Sequence, residues 1–301
     1  MILVTGGSGQ LARSIAALAA GRDIRVVGRP DFDFDRPDSI VAVLRATAPS
    51  LVINTAAWTA VDAAETNADA ATRANRDGPE IIARFCAESG IPLIHVSTDY
   101  VFDGLKGAPY VETDATNPSG VYGATKHAGE VAVLAACSRA IVLRTSWVYA
   151  DAGKNFVLTM LNAARKTNTL RVVADQHGCP TAAPALAEAI LGLADRLLAG
   201  WSAGYGGIYH AAGGGATTWH GLATAVFAEA ARHGMEPPTI VPIATADWPT
   251  PVRRPPDSRL NCDKLARVFD ISLPDWRNSL TIVMRTFYSR APGASSSPNA
   301  V

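Results

Sequence analysis

Near the start of the chain, Gly6-Gly7-Ser8-Gly9-Gln10-Leu11-Ala12 follows the strand-like run Ile2-Leu3-Val4-Thr5 and opens a helical pattern. A strand that runs through glycines into a helix is a tight β–turn–α junction. Gly6 permits the turn, Gly9 lets backbone approach a ligand, and Ala12 is small enough for helix and strand to close together. The free N–H groups of such a helix start favour an anion, and the pyrophosphate of a dinucleotide fits this arrangement.

The same alternation continues. Strands are expected at Asp23–Val27, Leu51–Asn54, Pro92–Ser97 and Ala140–Arg144. Helices are expected at Gln10–Ala20, Pro37–Ala48, Ala68–Ser89 and Val121–Cys137. Apolar strands alternating with helices predict βαβ units, hence an α/β fold with a Rossmann-type doubly wound parallel sheet. The second half is less regular, with helices expected at Asn155–Lys166, Ala183–Leu198 and Trp219–Gly234 and a strand at Leu170–Val173. The glycine-rich, aromatic stretch Trp201–Thr218 is given no element, and residues 237–259 hold too many prolines for a regular one. This half is expected to form a smaller, mixed α/β substrate-binding lobe. The predicted division is a dinucleotide-binding domain over 1–146, with segments near 164–198 and 219–234 returning to it. The rest of 147–288 makes the lobe, and 291–301 is a flexible tail rich in Ser, Pro, Gly and Ala.

Composition excludes several classes. Lys plus Arg and Asp plus Glu are both 27 in 301 residues, so no bulk basic field for nucleic acid exists. No apolar run approaches the 18 or so residues of a membrane span, and the N-terminus has no signal-peptide pattern. Cys86, Cys137, Cys179 and Cys262 form no CxxC pair, which fits a reducing compartment and a cytoplasmic protein.

Tyr122 and Lys126 lie four residues apart in a predicted helix and so share one face. Ser97-Thr98 ends the fourth strand, at the sheet edge where doubly wound proteins bind ligands. Hydride addition to a ketone builds negative charge on oxygen. Tyr122 is placed to donate a proton there, Lys126 to lower the phenol's pKa and hold the nicotinamide ribose, and Thr98 to hold the oxygen by a hydrogen bond. Beyond the second strand, Arg29 either meets a 2′-phosphate or is an exposed loop residue, so the sequence leans toward NADPH over NADH without deciding. Asp31 and Asp33 are close enough to serve the ribose.

Longer motifs carry a resemblance. They are Asn54-Thr55-Ala56-Ala57-Trp58-Thr59-Ala60-Val61-Asp62, Ser97-Thr98-Asp99-Tyr100-Val101-Phe102-Asp103-Gly104, Tyr122-Gly123-Ala124-Thr125-Lys126 with Gly129-Glu130, and Arg144-Thr145-Ser146-Trp147-Val148-Tyr149. Asp175-Gln176-His177-Gly178-Cys179-Pro180-Thr181, Trp248-Pro249-Thr250 and Arg254-Pro255 complete the series. With these the chain resembles the extended short-chain dehydrogenase/reductases, and among them the dTDP-4-dehydrorhamnose reductase family. The resemblance implies NAD(P)H-dependent reduction of the C4 ketone of dTDP-6-deoxy-β-L-lyxo-4-hexulose to dTDP-β-L-rhamnose. By the same resemblance Gly9, Gln10, Leu11, Arg29, Asp33, Phe34, Ala57, Trp58 and Thr59 would bind the cofactor. Val61, Thr98, Asp99 and Trp147 would meet the sugar. Arg254, with Arg253 and Arg259, either meets the substrate diphosphate or lies in a solvated loop.

Some members of that family dimerise around magnesium held by glutamates. The matching position here is Ser14, so the expectation is a monomer or weak homodimer without a metal. Two other readings stay open: another nucleotide-sugar 4-ketoreductase or epimerase, and a non-enzymatic NADP-binding subunit like that of methionine adenosyltransferase. Both Tyr122 and Lys126 are present, which favours the enzyme.

Overall fold

The computed structural model describes residues 1–290, so the predicted tail 291–301 lies outside the described residues. The first half runs β1 (Ile2–Thr5), α1 (Gln10–Ala17), β2 (Ile24–Val27), α2 (Pro37–Thr47), β3 (Leu51–Asn54), α3 (Val61–Ala64), α4 (Ala68–Thr72), α5 (Gly78–Glu88), β4 (Leu93–Thr98), α6 (Val121–Ala136) and β5 (Ala140–Thr145). The second half adds β6 (Val148–Tyr149), α7 (Phe156–Ala164), β7 (Thr169–Val173), β8 (His177–Gly178), β9 (Thr181–Ala182), α8 (Ala183–Ala199) and β10 (Gly207–His210). It ends with β11 (Thr217–Thr218), α9 (Trp219–Ala231), β12 (Thr239–Ile243), α10 (Asp263–Phe269) and α11 (Trp276–Arg290).

The main sheet has six parallel strands in the order β10-β5-β4-β3-β1-β2. The chain leaves β1 for β2 on one side and returns to β3 on the other. That reversal opens a crevice beyond the carboxyl ends of β1 and β3, where ligands bind in such sheets. Strand side chains alternate between two cores. Ile2, Val4, Ile53 and Ile94 pack with Leu11 and Ile15 of α1 and Leu186 and Ile190 of α8. Leu3, Val52, Leu93 and Val142 pack with Ile40, Leu44, Ile82 and Val133 on the opposite face. Each such buried aliphatic contributes about 1.5–3 kcal/mol, so this alternation fixes which face each helix covers.

A third core joins α7, α9 and α11 to β7 and makes the smaller lobe, with Val157, Leu161, Phe227, Trp276 and Met284 buried. Of the later segments expected beside the dinucleotide domain, 164–198 contributes α8, packed on α1. The other, 219–234, contributes α9, packed in the lobe core with α7 and α11.

Several elements depart from expectation. Gly207–His210 lies in a stretch assigned no element, yet is the sixth strand of the main sheet. Within the proline-rich 237–259, Thr239–Ile243 pairs in parallel with β7. The sheet has only two strands, so Pro242 sits on an edge, where its missing N–H is tolerated. Helices α10 and α11 were not anticipated. The helix expected over Ala68–Ser89 contains a π turn at Arg73–Asp77.

Candidate active site

A cleft of about 910 Å³ lies over the crevice and is shared by both lobes. Its floor is the glycine loop. Gly6 and Gly7 have φ of +112° and +52°, and a Cβ on Gly6 would lie 2.3 Å from Thr55 Oγ1. A Cβ on Gly28 would lie 2.6 Å from Gly7 Cα, so the end of β2 touches the loop. Gly9 caps α1 without a side-chain hydrogen bond. The open helix start and the cradle that any Cβ would fill are what a dinucleotide pyrophosphate requires, and the residues fit that group. Leu11 and Gln10 also line the cleft. Gln10 reaches the other lobe: its Nε2 donates to Lys154 O (3.2 Å), and its Oε1 accepts from Asn155 Nδ2 (2.9 Å).

At the β2 end, Phe34 and Arg29 line the cleft. Phe34 is buried, stands edge-on to Phe32, and fills the space a side chain at Gly78 would need. Arg29 is 66 % exposed and is held by two carboxylates, Asp33 at 2.9 Å and Asp35 at 2.6 Å. Arg73 shares Asp35 at 2.8 Å. Asp33 does not line the cleft; it positions Arg29. Its carboxyl lies below the ordinary range, through the Asp35 backbone N–H and the Arg29 guanidinium.

Ala57, Trp58, Thr59 and Val61 line the wall after β3. Their backbone is set by a residue the sequence reading passed over. Asn75 Oδ1 accepts from Trp58 N (2.9 Å), and its Nδ2 donates to Trp58 O (3.2 Å) and to Thr125 Oγ1 (3.0 Å). The π turn aims this buried amide at both partners, in keeping with the frequent use of such turns at functional sites. Helix α6 lies so close that a Cβ on Gly129 would be 1.9 Å from Asn75 O.

Thr98, Asp99, Tyr122 and Lys126 meet in the middle of the cleft. Tyr122 is buried, which pushes its phenol well above its ordinary pKa; hydrogen bonding by Thr98 opposes the rise. Lys126 is also buried, and its ammonium is pushed down to about 8, against the raising field of Glu130. Its Nζ donates to Val96 O at 2.7 Å. For Tyr122, burial outweighs any lowering of the phenol pKa by this ammonium. Asp99 is pushed up to about 6 by burial, opposed by hydrogen bonds from Ser258 and Thr98. Its Oδ1 accepts from Thr98 Oγ1 at 3.1 Å.

Two buried polar systems brace these residues. Glu130 accepts from Ser97 Oγ (2.5 Å) and pairs bidentately with Arg144 (2.9 and 2.7 Å). Its carboxyl is held down to about 2: burial raises it, and the hydrogen bonds from His127 and Arg144 with the Arg144 charge outweigh that. Thr5 Oγ1 donates to Asn54 Oδ1 (2.5 Å), and Asn54 Nδ2 donates to His95 Nδ1 (2.9 Å), which links the ends of β1, β3 and β4. Burial and the Lys126 charge hold His95 well below its usual pKa, in the neutral form.

Trp147 lines the lobe side of the cleft with Trp219, stacked on it at 3.5 Å between centroids and 7° between planes. Arg254 does not line the cleft. Its Nη2 donates to Asp62 (2.6 Å), and its Cζ stands 5.9 Å from the Tyr100 ring, which does line it. Arg259 pairs with Asp257 at 2.6 Å, and Arg253 is exposed. Among the described residues, no three or more His, Cys, Asp or Glu side chains converge to hold a metal, and no helix is long and apolar enough to cross a membrane.

Residues 1–289 match the model of the RmlD substrate binding domain family. The dTDP-4-dehydrorhamnose reductase of Sinorhizobium fredii is 44 % identical over 279 residues, covering 92 % of this chain and 94 % of that protein. That of Salmonella typhimurium is 42 % identical over 284 residues, 91 % of this chain and 94 % of its own. Among solved structures, the Bacillus anthracis dTDP-4-dehydrorhamnose reductase in complex with NADP superposes with a TM-score of 0.86 at 29 % identity, over 95 % of this chain and 98 % of that one.

Proposed function

The chain belongs to the RmlD substrate binding domain family, within the dTDP-4-dehydrorhamnose reductases of the extended short-chain dehydrogenase/reductases, and from that premise we propose its reaction. It reduces the C4 ketone of dTDP-6-deoxy-β-L-lyxo-4-hexulose to dTDP-β-L-rhamnose, the last step of dTDP-L-rhamnose synthesis, with NADPH or NADH. The observation that carries this reading is the meeting of Thr98, Tyr122 and Lys126 in one cleft with an open glycine loop.

The nicotinamide, when bound, supplies the hydride. Tyr122, with its pKa raised by burial, keeps its phenolic proton at neutral pH and delivers it to the C4 oxygen. General acid catalysis of this kind is worth about 10²–10⁴-fold. Thr98 Oγ1 turns its one O–H from Asp99 to that oxygen, and the Lys126 charge, one helical turn along α6 from Tyr122, stabilises the phenolate left behind. Asp99, which lines the cleft beside Thr98, takes a sugar hydroxyl with its carboxylate. Trp147 offers an apolar wall to the 6-methyl group.

We assign Gly6, Gly9, Gln10, Leu11, Phe34 and the 57–59 wall to the dinucleotide, with Arg29 on the 2′-phosphate of NADPH. The Bacillus anthracis relative is solved in complex with NADP, which supports NADPH as one coenzyme of this site. Residues 1–146 with α8 and β10 form the dinucleotide-binding domain in this reading, and the remaining later elements hold the sugar nucleotide. We also propose a cytoplasmic monomer or weak homodimer without nucleic-acid or membrane partners; zero formal charge supports the lack of a nucleic-acid partner.

The test is NADPH oxidation with dTDP-4-keto-6-deoxyglucose, with and without the 3,5-epimerase, and NADH in parallel. Oxidation only with the epimerase present, yielding dTDP-L-rhamnose, is expected. No oxidation by folded protein overturns the assignment; oxidation without the epimerase redirects it to a different 4-ketoreductase.

A further inference from the structure

The Asp175–Thr181 block has no part in the chemistry above, yet its side chains converge behind the aromatic wall. Gln176 is 6 % exposed, and both ends of its amide are used. Its Oε1 accepts from Trp219 Nε1 (3.1 Å), and its Nε2 donates to Thr245 Oγ1 (3.0 Å). Thr245 is fixed in turn by Asp175, which accepts from its backbone N (2.9 Å) and its hydroxyl (2.6 Å). Antiparallel pairing of β8 with β11, Thr217 opposite Gly178 and Thr218 opposite His177, brings the block beside the start of α9.

Trp147 needs such support. Its φ is +47°, an uncommon conformation for a bulky residue, which persists only where its surroundings enforce it. A Cβ on Gly178 would lie 2.3 Å from Trp147 Cε2, so only glycine leaves room for the ring. Trp219 covers it from the other lobe element and is itself backed by Phe156 at 4.7 Å.

We propose that Gln176 and Trp219 are positioning residues that hold Trp147 in the cleft, and so set the affinity for the sugar end of the substrate. The inference rests on the reductase reading for the identity of that ligand. Gln176 touches no reacting atom; it fastens the indole N–H that keeps Trp219 face to face with Trp147. A displaced wall loses apolar contact with the sugar and so weakens its binding.

Gln176→Leu removes both hydrogen bonds at nearly constant volume. The stacked indoles give an exciton couplet in circular dichroism, and this variant is expected to lose it. KM for the sugar nucleotide should rise on the order of 10-fold, with kcat within about twofold and NADPH affinity unchanged. Gln176→Glu keeps an acceptor for Trp219 and should recover most of the KM. Trp219→Phe is the second variant: it should raise KM in the same way, even if Gln176→Leu does not fold. A retained couplet in folded Gln176→Leu overturns the fastening role. An unchanged KM in either folded variant overturns the positioning role. Absence of turnover in the wild type is a different failure: it removes the reductase reading, while the couplet still decides whether Gln176 fastens the pair.

Discussion

Lys126 donates to the carbonyl oxygen of Val96 at 2.7 Å, which ties α6 to the carboxyl-terminal half of β4, two residues before Thr98. The bond fixes the ammonium one helical turn along α6 from Tyr122 and satisfies one of its protons in a buried place. The position has an electrostatic cost, because burial moves Lys126 from the usual lysine range down to about 8.

That shift predicts the alkaline limb of the pH profile. Below pH 8 Lys126 is charged and able to oppose the phenolate; above it the charge is lost. kcat/KM should therefore fall as pH rises through about 8, well before an ordinary lysine titrates. A flat profile to pH 10 would show that the charge is not needed.

Tyr122→Phe keeps the ring and removes the proton. Turnover should drop by at least about 10²-fold, with NADPH affinity largely kept. NADPH oxidation and a fluorescence titration separate the two effects, and near-normal turnover would remove Tyr122 from the mechanism.

Asp99 makes a signed prediction about stability. Its folded pKa, about 6, lies above the ordinary carboxylate value, so burial of its charge opposes folding above pH 6. The penalty disappears as pH falls through 6 toward 3.8, where the unfolded chain also binds the proton. Asp99→Asn should stabilise the protein at pH 8 by about 1–3 kcal/mol, with little gain near pH 4. Urea melts at the two values check this, while KM for the sugar should rise.

Glu130 has the opposite sign. Its pKa, held down to about 2, gives stability that is complete above the ordinary value near 4.5 and lost as pH falls toward 2. Glu130→Gln leaves Arg144 buried without its counter-charge and should cost about 3–5 kcal/mol at neutral pH. The variant should also lose the wild type's steep decline between pH 4.5 and 2. An equal decline in both would assign that acid limb to other carboxylates.

Arg29→Ala tests the coenzyme. NADPH affinity should fall about 10-fold more than NADH affinity, the size of one lost charge-assisted contact. An unchanged ratio would mean that Asp33 and Asp35 keep the guanidinium to themselves.

The local signals in the sequence were strong where periodicity and glycine placement coincide. Gly6, Gly9, Thr98, Tyr122 and Lys126 were legible because each sits at a strand end or on one helix face, and the parallel fold follows from the same alternation. Asn75 was not, because a π turn has no sequence signature and its work is done across 50 residues, on Thr125. His95 was hidden inside an apolar strand, where only its neighbours Asn54 and Lys126 give it meaning. β10 was missed because four residues among glycines and aromatics acquire strand character only by pairing with β5. Arg254 read either as a diphosphate ligand or as a solvated loop residue; its ion-pair partner Asp62, 192 positions away, was not legible. Such partners are settled by tertiary packing, which a single-sequence pattern does not encode.

Gln10 stands first in the helix that faces the dinucleotide, yet both ends of its amide are given to Lys154 and Asn155 on the sugar side. One side chain is therefore common to two binding surfaces. Any free energy by which an occupant of one surface tightens or loosens this tie must appear, equal in size, in the affinity of the other. The two lobes are therefore fastened to each other at the mouth of the cleft by a single amide.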